Sequence, residues 1–273
     1  MVDLVAKQTA YGVMLLLPND MYVGRGLIKY GEYCVGEQIF FSLAAQHGGA
    51  AIDVGANLGA HTMFMASRFS NVYAFEAQPF IHMLLKGNLA PFLNTTTYNA
   101  AVGSEDGILH LPRLNYTMSN NFGGMGKYAL KDEADKSTIV MEPIQQRMLD
   151  KVDSLRAEDQ ISLIKIDVEG MELDVLKGAQ ALIDKHRPVL YVENDKMDHA
   201  AELVKFIYNL GYEAIWHITP LYREDNWAND KENIYEGLSS FNLICTPKGG
   251  WMTIKNGLPC TPDNPFVPPG CKV

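Results

Sequence analysis

The sequence predicts an α/β protein built on a mainly parallel β-sheet whose two faces are both covered by helices. Three observations support this fold class. Short β-rich runs alternate with helix-length segments from residue 50 onward. A glycine-containing turn at residues 55–59 directly follows the first of these strands. Acidic residues such as Glu76 and Asp167 end several strands, and the carboxyl ends of parallel strands meet at one edge of a sheet.

The N-terminal segment precedes this alternation and predicts a β-hairpin. Residues 11–17 have the pattern of a strand, residues 18–20 are turn residues, and residues 21–25 form the returning strand. A helix is then predicted over residues 36–47. Its apolar residues recur on one side, and Gly48 and Gly49 follow its end.

The alternating region supplies the elements of the sheet and of its two helical layers. The predicted strands are residues 50–54, 72–75, 96–102, 161–166, 189–192, 213–217 and 241–245. The predicted helices are residues 60–68, 79–89, 171–181 and 198–210. Because helices connect most successive strands, we expect most of the strands to be parallel.

Residues 103–150 interrupt the alternation. Two runs, residues 108–111 and 138–144, predict a pair of extra strands, and the Gly- and Asn-rich stretch 119–124 between them predicts a loop near the functional site. The residues after Trp251 are rich in proline and predict an irregular C-terminal tail. We therefore divide the chain into a hairpin extension (1–35), a main domain (36–250) and a tail (251–273).

Composition and charge limit the classes of function. The formal net charge is −9, and an acidic chain lacks the excess of Lys and Arg that broad nucleic-acid binding requires. We therefore expect no nucleic-acid partner. No run approaches the roughly 20 apolar residues that span a bilayer, and the first residues lack the pattern of a signal peptide. The sequence thus predicts a cytoplasmic protein without a membrane span.

The four cysteines have no spacing typical of a zinc site. They are Cys34, Cys245, Cys260 and Cys271. Free thiols in a reducing compartment are the favoured interpretation, and a bridge between Cys260 and Cys271 is the alternative.

The turn after the first strand of the alternating region carries most of the information about function. The strand ends at Asp53, and Gly55, Asn57 and Gly59 form a turn that leads into a helix. Glycines allow the backbone to turn tightly and to approach a ligand closely. The Asp53 carboxylate disfavours a dinucleotide, because it would repel a pyrophosphate. It favours S-adenosylmethionine, which carries a sulfonium and an ammonium, as the cofactor.

Three further residues are predicted to bind the cofactor. Glu76 ends the next strand, where a carboxylate can accept hydrogen bonds from ribose hydroxyls. Ala101 is one of several small residues that end the third strand and leave space for an adenine ring, although plain packing explains them too. His61 follows the turn and can contact the ligand or the acceptor, with a histidine on the helix surface as the alternative.

A second group of acidic residues ends the later strands. Asp167 and Glu169 follow the strand at 161–166, and Glu193 follows the strand at 189–192. Helix capping explains isolated carboxylates, but three at one sheet edge favour a catalytic role. They could orient or deprotonate an attacking hydroxyl. Alternatively, Asp167 and Glu193 could bind Mg²⁺ together with Asn194, so the sequence leaves the presence of a metal open.

Four motifs together resemble the FkbM-type methyltransferases. They are residues 53–62 (DVGANLGAHT), 75–76 (FE), 99–103 (NAAVG) and 165–178 (KIDVEGMELDVLKG). The resemblance covers about residues 32–195. It implies a Rossmann-like sheet of seven strands, S-adenosylmethionine as the cofactor, and methylation of a hydroxyl on a sugar or natural product.

The resemblance also implies roles for individual residues. Glu76 would hold the ribose, and Asp167 and Glu169 would face the reaction centre. The residues implied to line the methionine part of the cofactor are Asp53, Gly55, Asn57, Gly59 and Thr62. The acceptor is expected to be a small molecule or a glycan, and the resemblance leaves its identity open.

Two other functions are kept as alternatives. One is a methyltransferase-like module that binds a cofactor or a sugar without chemistry, which predicts binding without turnover. The other is a nicotinamide-dependent oxidoreductase, which predicts binding of NADH at the same turn.

Overall fold

A computed structural model describes residues 1–124 and 140–266 of the chain. These residues form a large mixed β-sheet with helices on both faces, an N-terminal hairpin and a three-stranded side sheet. In chain order the elements are β1 (Val5–Thr9), β2 (Gly12–Leu16), α1 (Val23–Tyr30), α2 (Val35–Ala45), β3 (Ala50–Val54), α3 (Ala60–Ala66), β4 (Val72–Glu76), α4 (Pro79–Asn88), β5 (Thr95–Asn99), β6 (Ala101–Val102), β7 (Gly107–Pro112), β8 (Met141–Arg147), α5 (Asp153–Arg156), β9 (Ile161–Ile166), α6 (Glu172–Lys177), α7 (Gln180–His186), β10 (Val189–Glu193), α8 (Met197–Asn209), β11 (Tyr212–Pro220), β12 (Ser239–Pro247) and β13 (Pro259–Cys260).

The large sheet has the strand order β13-β11-β12-β10-β9-β3-β4-β5. The neighbouring strands from β10 through β9, β3 and β4 to β5 pair in parallel, whereas β12 pairs in antiparallel fashion with both β10 and β11, and β13 with β11. The predicted α/β fold with a mainly parallel sheet is confirmed. The sheet has eight strands within the described residues, however, instead of the seven expected. The chain runs outward from β3 in one direction and from β9 in the other, so the strand order reverses between these two strands.

Two apolar layers hold the helices on the sheet. On one face, Ile52 and Ile164 pack with residues of α6, α7 and α8 such as Ile183. On the other face, Tyr191 and neighbouring strand residues pack with Phe41 of α2. The central strands are therefore apolar along most of their length, as is usual for parallel strands that are covered on both sides. Among the described residues, no helix is long and apolar enough to cross a membrane.

The N-terminal hairpin is present, but its strands are not the predicted ones. β1 and β2 pair with Thr9 opposite Gly12, so the predicted first strand is the second strand of the hairpin. Residues 21–25, predicted to return as a strand, lead into α1 instead. The buried carboxylate of Asp20 is the physical reason, because it accepts the backbone N–H groups of Tyr22 and Gly24 and so begins a helix.

Two other predicted elements are divided in the structure. The helix predicted at 171–181 consists of α6 and α7, which are separated where Gly178 packs against the backbone of Gly103. A Cβ atom on Gly178 would lie 2.0 Å from that carbonyl oxygen. The strand predicted at 96–102 leaves the large sheet after Asn99, and β6 pairs with β8 in the side sheet.

The structure contains the predicted pair of extra strands, and its C-terminal tail includes one short strand. β7 and β8 pair in antiparallel fashion, which confirms the predicted pair; residues 138–139 of the second strand lie outside the described residues. The tail is not wholly irregular, because β13 pairs with β11. An edge strand such as β11 has backbone groups that need partners, which explains this pairing. Cys271, and any bridge from it to Cys260, lies outside the described residues.

Candidate functional site

A cavity opens at the carboxyl ends of the parallel strands, at the point where the strand order reverses. Its empty space is about 1390 Å³ when its open mouth is included. The loops after β3, β4, β9 and β10 form most of its wall, and residues near α1, α2 and β12 complete it. Ligands of open α/β sheets bind at this position. The cavity is therefore the place where the predicted site residues should meet.

The turn after β3 forms one wall of the cavity. Gly55, Asn57 and Gly59 line it, and their φ angles are 83°, 49° and 93°. Gly55 is tightly constrained, because a Cβ atom there would lie 1.8 Å from the backbone oxygen of Asp167. The turn therefore presses against the loop after β9, and only glycine fits this position without strain.

Asp53 and Thr62 lie behind this wall instead of on it. Both are fully buried, and Thr62 Oγ1 donates a hydrogen bond of 2.7 Å to Asp53 Oδ2. Lys165 Nζ lies 3.2 Å from Asp53 Oδ1 and 3.3 Å from Asp167 Oδ2. The structure thus does not bring Asp53 and Thr62 to the cavity surface. The sequence predicted that Asp53 attracts a cationic ligand directly. In the structure its charge faces Lys165 instead.

Lys165 stays charged although it is buried. Burial lowers the pKa of its ammonium, but the carboxylates of Asp53 and Asp167 raise it, and the net effect lies above the ordinary value. Lys165 Nζ also donates to the carbonyl oxygen of Gly55 at 3.4 Å. One ammonium therefore connects β3, the turn after it and the loop after β9.

Glu76 lies at the end of β4 and lines the cavity. Its Oε1 accepts the backbone N–H of Gln78 at 2.8 Å, and its Oε2 accepts that of Asn57 at 2.9 Å. Burial raises the pKa of Glu76 to about 7, although these two hydrogen bonds act in the opposite direction. Each carboxylate oxygen keeps further acceptor capacity for a ligand hydroxyl.

The cavity is apolar next to Glu76. Ile81 from α4, Ala101 from β6 and Leu111 from β7 line this part. Phe122 closes it and is itself buried, which places the predicted loop at 119–124 against the cavity. Such a wall suits the faces of an aromatic ring.

The opposite end of the cavity is acidic. Asp167, Glu169 and Glu193 all line it, and one carboxylate oxygen of each lies within 4.8 Å of the others. Lys196 Nζ lies 2.8 Å from Glu169 Oε2 and therefore neutralises part of this charge. The three predicted catalytic residues are thus close together, and we refer to them below as the acidic cluster.

Glu169 and Glu193 of the acidic cluster hold protons more tightly than isolated carboxylates do. Burial and then the charge of Asp167 raise the pKa of Glu169 to about 7. Burial, followed by the charges of Asp167 and Glu169, raises the pKa of Glu193 well above its ordinary value. Glu193 Oε2 is buried and has no hydrogen-bond partner. Among the three, Glu193 is therefore the carboxylate with the greatest need for a proton or a cation.

The predicted set of metal ligands is only partly assembled. Asn194 does not line the cavity, and its Nδ2 donates to the carbonyl oxygen of Pro265 at 2.9 Å. Asn194 follows the last residue of β10, and its side chain contacts the C-terminal segment instead of the cavity. Glu169, instead of Asn194, lies with Asp167 and Glu193 as the third possible oxygen ligand. Three carboxylates at this spacing fit a hard divalent cation.

His61 is buried beside the cavity, which contradicts the alternative of a histidine on a helix surface. Its Nε2 lies 3.1 Å from Glu37 Oε2, and its Nδ1 lies 3.4 Å from Gln38 Nε2. Ser240 and Asn242 donate to the other carboxylate oxygen of Glu37. Burial raises the pKa of Glu37, but the hydrogen bond and charge of His61 outweigh this effect and hold it below its ordinary value.

Sequence reasoning missed Glu37 and Lys165 as site residues. Both are charged residues within largely apolar segments, Lys165 inside the buried strand β9 and Glu37 in the first turn of α2. A buried charge needs a partner of opposite sign, so a lysine within a buried strand indicates a nearby carboxylate. Tyr33 and Cys34 also line the cavity, and their sequence context carries no comparable signal.

The chain is similar in sequence to known proteins over the region that builds the cavity. The family model described as "Methyltransferase FkbM domain" matches residues 53–214, more than half of the chain. Methyltransferase 1 of Beauveria bassiana is 29% identical over 154 residues, which are 50% of this chain and 59% of that protein. The AMB antimetabolite synthetase AmbE of Pseudomonas aeruginosa is 27% identical over 183 residues, 55% of this chain and 8% of that protein. The matches thus span less than two thirds of either curated relative.

Solved structures of methyltransferases are similar at low sequence identity. The methyltransferase FkbM of Methylobacillus flagellatus has a TM-score of 0.45 and 17% identity, over 72% of this chain and 43% of that one. A putative O-methyltransferase of Klebsiella pneumoniae has a TM-score of 0.45 and 13% identity, over 85% and 87% of the two chains. The magnesium protoporphyrin IX methyltransferase of Synechocystis, solved with bound SAM, has a TM-score of 0.40 and 11% identity, over 78% and 80%.

Proposed function

The chain belongs to the FkbM methyltransferase family, and on this premise we propose that it transfers a methyl group from S-adenosylmethionine to a hydroxyl oxygen of a sugar or another small molecule. The observation that carries the proposal is the division of one cavity into two ends. The glycine turn and Glu76 follow β3 and β4 on one side of the point where the strand order reverses, and the acidic cluster follows β9 and β10 on the other side. A direct transfer needs two such adjacent binding positions, one for the cofactor and one for the acceptor.

The first end has the groups that the cofactor requires. Glu76 offers carboxylate oxygens to the ribose hydroxyls, and the apolar wall around Ala101 offers space to the adenine. The backbone of Gly55 and Gly59 permits close approach of the methionine part. Asp53 and Thr62 act as positioning residues in this proposal, since they hold the turn from behind.

The proposed reaction is a displacement at the methyl carbon. The acceptor oxygen attacks the carbon in line with its bond to sulfur, and the carbon–oxygen bond forms as the carbon–sulfur bond breaks. The electron pair stays on sulfur, so the sulfonium becomes the neutral thioether of S-adenosylhomocysteine. The hydroxyl proton passes to a carboxylate. The main task of the protein is to hold the acceptor oxygen about 3 Å from the methyl carbon in this alignment.

Glu193 is the proposed general base. Its Oε2 lacks a hydrogen-bond partner, and its raised pKa makes its ionised form a better proton acceptor than an ordinary carboxylate. Asp167 is held by Lys165, and Glu169 is held by Lys196. These two carboxylates are therefore assigned to orienting the acceptor.

A divalent cation bound by the acidic cluster is a second candidate for activating the hydroxyl. The three carboxylates have the oxygen chemistry and the spacing that Mg²⁺ or Mn²⁺ accepts. A cation there would polarise the acceptor oxygen and lower the pKa of its hydroxyl. Turnover that is lost on treatment with EDTA and restored by Mg²⁺ would support this route. Turnover that resists EDTA would leave Glu193 as the base.

The proposed function is tested with the full chain, radiolabelled S-adenosylmethionine and a panel of sugars, glycans and hydroxylated natural products. The expected result is transfer of the label to an acceptor oxygen, together with binding of the cofactor in calorimetry. Failure to bind S-adenosylmethionine would contradict the proposal. Binding without transfer to any acceptor would favour a non-catalytic binding module. Binding of NADH in a fluorescence titration, without binding of S-adenosylmethionine, would favour an oxidoreductase.

A further inference from the structure

Gln78 lines the cavity, and its side chain ends in a buried amide nitrogen without a hydrogen-bond partner. The residue is only 5% exposed, and its Nε2 is buried without a hydrogen-bond partner. Its main chain is satisfied, because its N–H donates to Glu76 Oε1 and its carbonyl oxygen accepts the N–H of His82. The side chain does not cap α4, although the residue directly precedes that helix. An unsatisfied buried amide is destabilising, so a ligand that supplies the missing partner is its most direct explanation.

The surroundings of Gln78 restrict the shape and polarity of such a ligand. Ile81 lies one turn further along α4, and the neighbouring Ala77 packs with Ala101 and Leu111. All of these residues line the cavity. A planar heteroaromatic ring buries its faces against such a wall and leaves its edge for hydrogen bonds.

Glu76 restricts the charge of the ligand group. An anionic acceptor such as a phosphate would lie beside this carboxylate and be repelled. Ribose hydroxyls are hydrogen-bond donors in this position, and Glu76 already offers acceptors for them. The N–H groups of Gln78 therefore fit a neutral acceptor in an apolar setting, and a ring nitrogen of a purine is such a group.

We propose that Gln78 donates a hydrogen bond from Nε2 to a ring nitrogen of the adenine of the cofactor, and that it thereby selects this base. The inference rests on the proposed function, because it presupposes an adenosine-containing cofactor. Gln78 is then a specificity-determining residue, as distinct from the carboxylate of Glu76 that serves the ribose. A site that hydrogen-bonds one ligand atom discriminates strongly against an analogue that lacks it.

The test combines changes in the ligand with a change in the protein. S-adenosylhomocysteine is compared with its 1-deaza, 3-deaza and 7-deaza analogues, each of which replaces one ring nitrogen by CH. Calorimetry gives the Kd of each compound for the wild-type protein and for Gln78→Met, which keeps the length of the side chain and removes the amide. We expect one analogue to bind the wild-type protein about tenfold more weakly than the parent compound. In Gln78→Met, this analogue and the parent compound should bind with equal affinity.

Two further variants of the chain serve as controls for effects that are not specific to the Gln78 amide. Gln180 is exposed on α7, so Gln180→Met is the matched control and should show the affinity pattern of the wild-type protein. Gln78→Leu is a second variant without the amide, and thermal unfolding identifies which variants are folded.

Two outcomes would overturn the inference. In one, no analogue binds the wild-type protein more weakly than the parent compound. In the other, the penalty is the same in the wild-type protein and in a folded Gln78 variant. If the wild-type protein does not bind S-adenosylhomocysteine at all, the proposed function fails first and the inference fails with it.

Discussion

Lys165 and Asp53 form a buried ion pair between neighbouring strands, with 3.2 Å between Nζ and Oδ1. Asp53 is the last but one residue of β3, which leads into the glycine turn, and Lys165 is the last but one residue of β9, which leads into the acidic cluster. Lys165 also lies 3.3 Å from Asp167 Oδ2. One ammonium, from a residue that lines the cavity, thus connects the strand before the glycine turn with the acidic cluster.

Lys165→Met is expected to destabilise the protein by about 3–5 kcal/mol, because it leaves Asp53 buried without a counter-charge. Urea unfolding of the two proteins measures this difference. The matched control is Lys196→Met, since Lys196 keeps 39% of its side chain exposed and contacts its carboxylates near solvent. This control should lose less than about 1 kcal/mol. The double variant Asp53→Asn/Lys165→Met should recover part of the loss, and a double variant less stable than Lys165→Met would contradict the ion-pair explanation.

Gly55→Ala is expected to weaken cofactor binding and to lower stability. Its new Cβ would lie 1.8 Å from the Asp167 carbonyl oxygen, at a φ angle of 83° that side chains rarely adopt. The turn and the loop after β9 would have to separate. Calorimetry with S-adenosylmethionine and thermal unfolding measure the two effects. In Gly87→Ala, a Cβ meets nothing within 4 Å inside α4, and this control should gain roughly 0.5–1 kcal/mol. Wild-type affinity in folded Gly55→Ala would show that the turn does not contact the ligand.

Glu193→Gln is expected to lower kcat about 100-fold or more while leaving the Kd for S-adenosylmethionine within about twofold, because a general base acts on the acceptor proton and not on the cofactor. Single-turnover assays and calorimetry separate the two quantities. The exposed Glu202→Gln on α8 serves as the control. Unchanged turnover in Glu193→Gln would remove this residue from the catalytic role.

The raised pKa of Glu169 predicts how stability depends on pH. A carboxyl group whose pKa rises from 4.5 to about 7 on folding contributes stability that is fully present below its unfolded pKa. This contribution is lost as the pH rises through about 7. Glu169→Gln, which cannot ionise, should therefore raise Tm by roughly 3 °C at pH 8 and change it little at pH 4.5. Calorimetric scans at both pH values check this, and an equal shift at the two values would show that the pKa of Glu169 does not rise on folding.

The acidic cluster predicts a preference among acceptors. Three carboxylates face the acceptor end, and the lysines that contact them also bind other carboxylates. A phosphorylated acceptor would be repelled, so its kcat/KM should be at least about tenfold lower than that of the unphosphorylated compound. Competition assays with matched pairs of sugars and sugar phosphates measure this ratio. A preference for the phosphate would contradict the assignment of this end to the acceptor.

The sequence predicts most accurately those elements whose residue pattern is compatible with only one kind of structure. The bounds of β3 and β9 match the predicted strands because continuous apolar runs of this length have few other uses in an α/β protein. The three carboxylates of the acidic cluster lie together for a related reason, since parallel strands deliver their carboxyl ends to one edge of the sheet.

Other features depend on contacts that the sequence does not specify. A strand that is buried on both faces does not reveal where Asp53 points, so its burial behind the turn could not be foreseen. Asp20 suits a turn and a helix cap equally well, and only the fold selects the cap. Glu37 reaches the cavity because α2 packs beside α3, a relationship between segments that no local pattern encodes.

The acidic cluster also has a consequence for what happens after the chemical step. In the proposed reaction the sulfonium becomes an uncharged thioether, so the carboxylates of the acceptor end lose a neighbouring positive charge. At the same time the cluster acquires the proton of the acceptor. In this proposal the acidic cluster is ready for a second transfer only after that proton has passed to solvent.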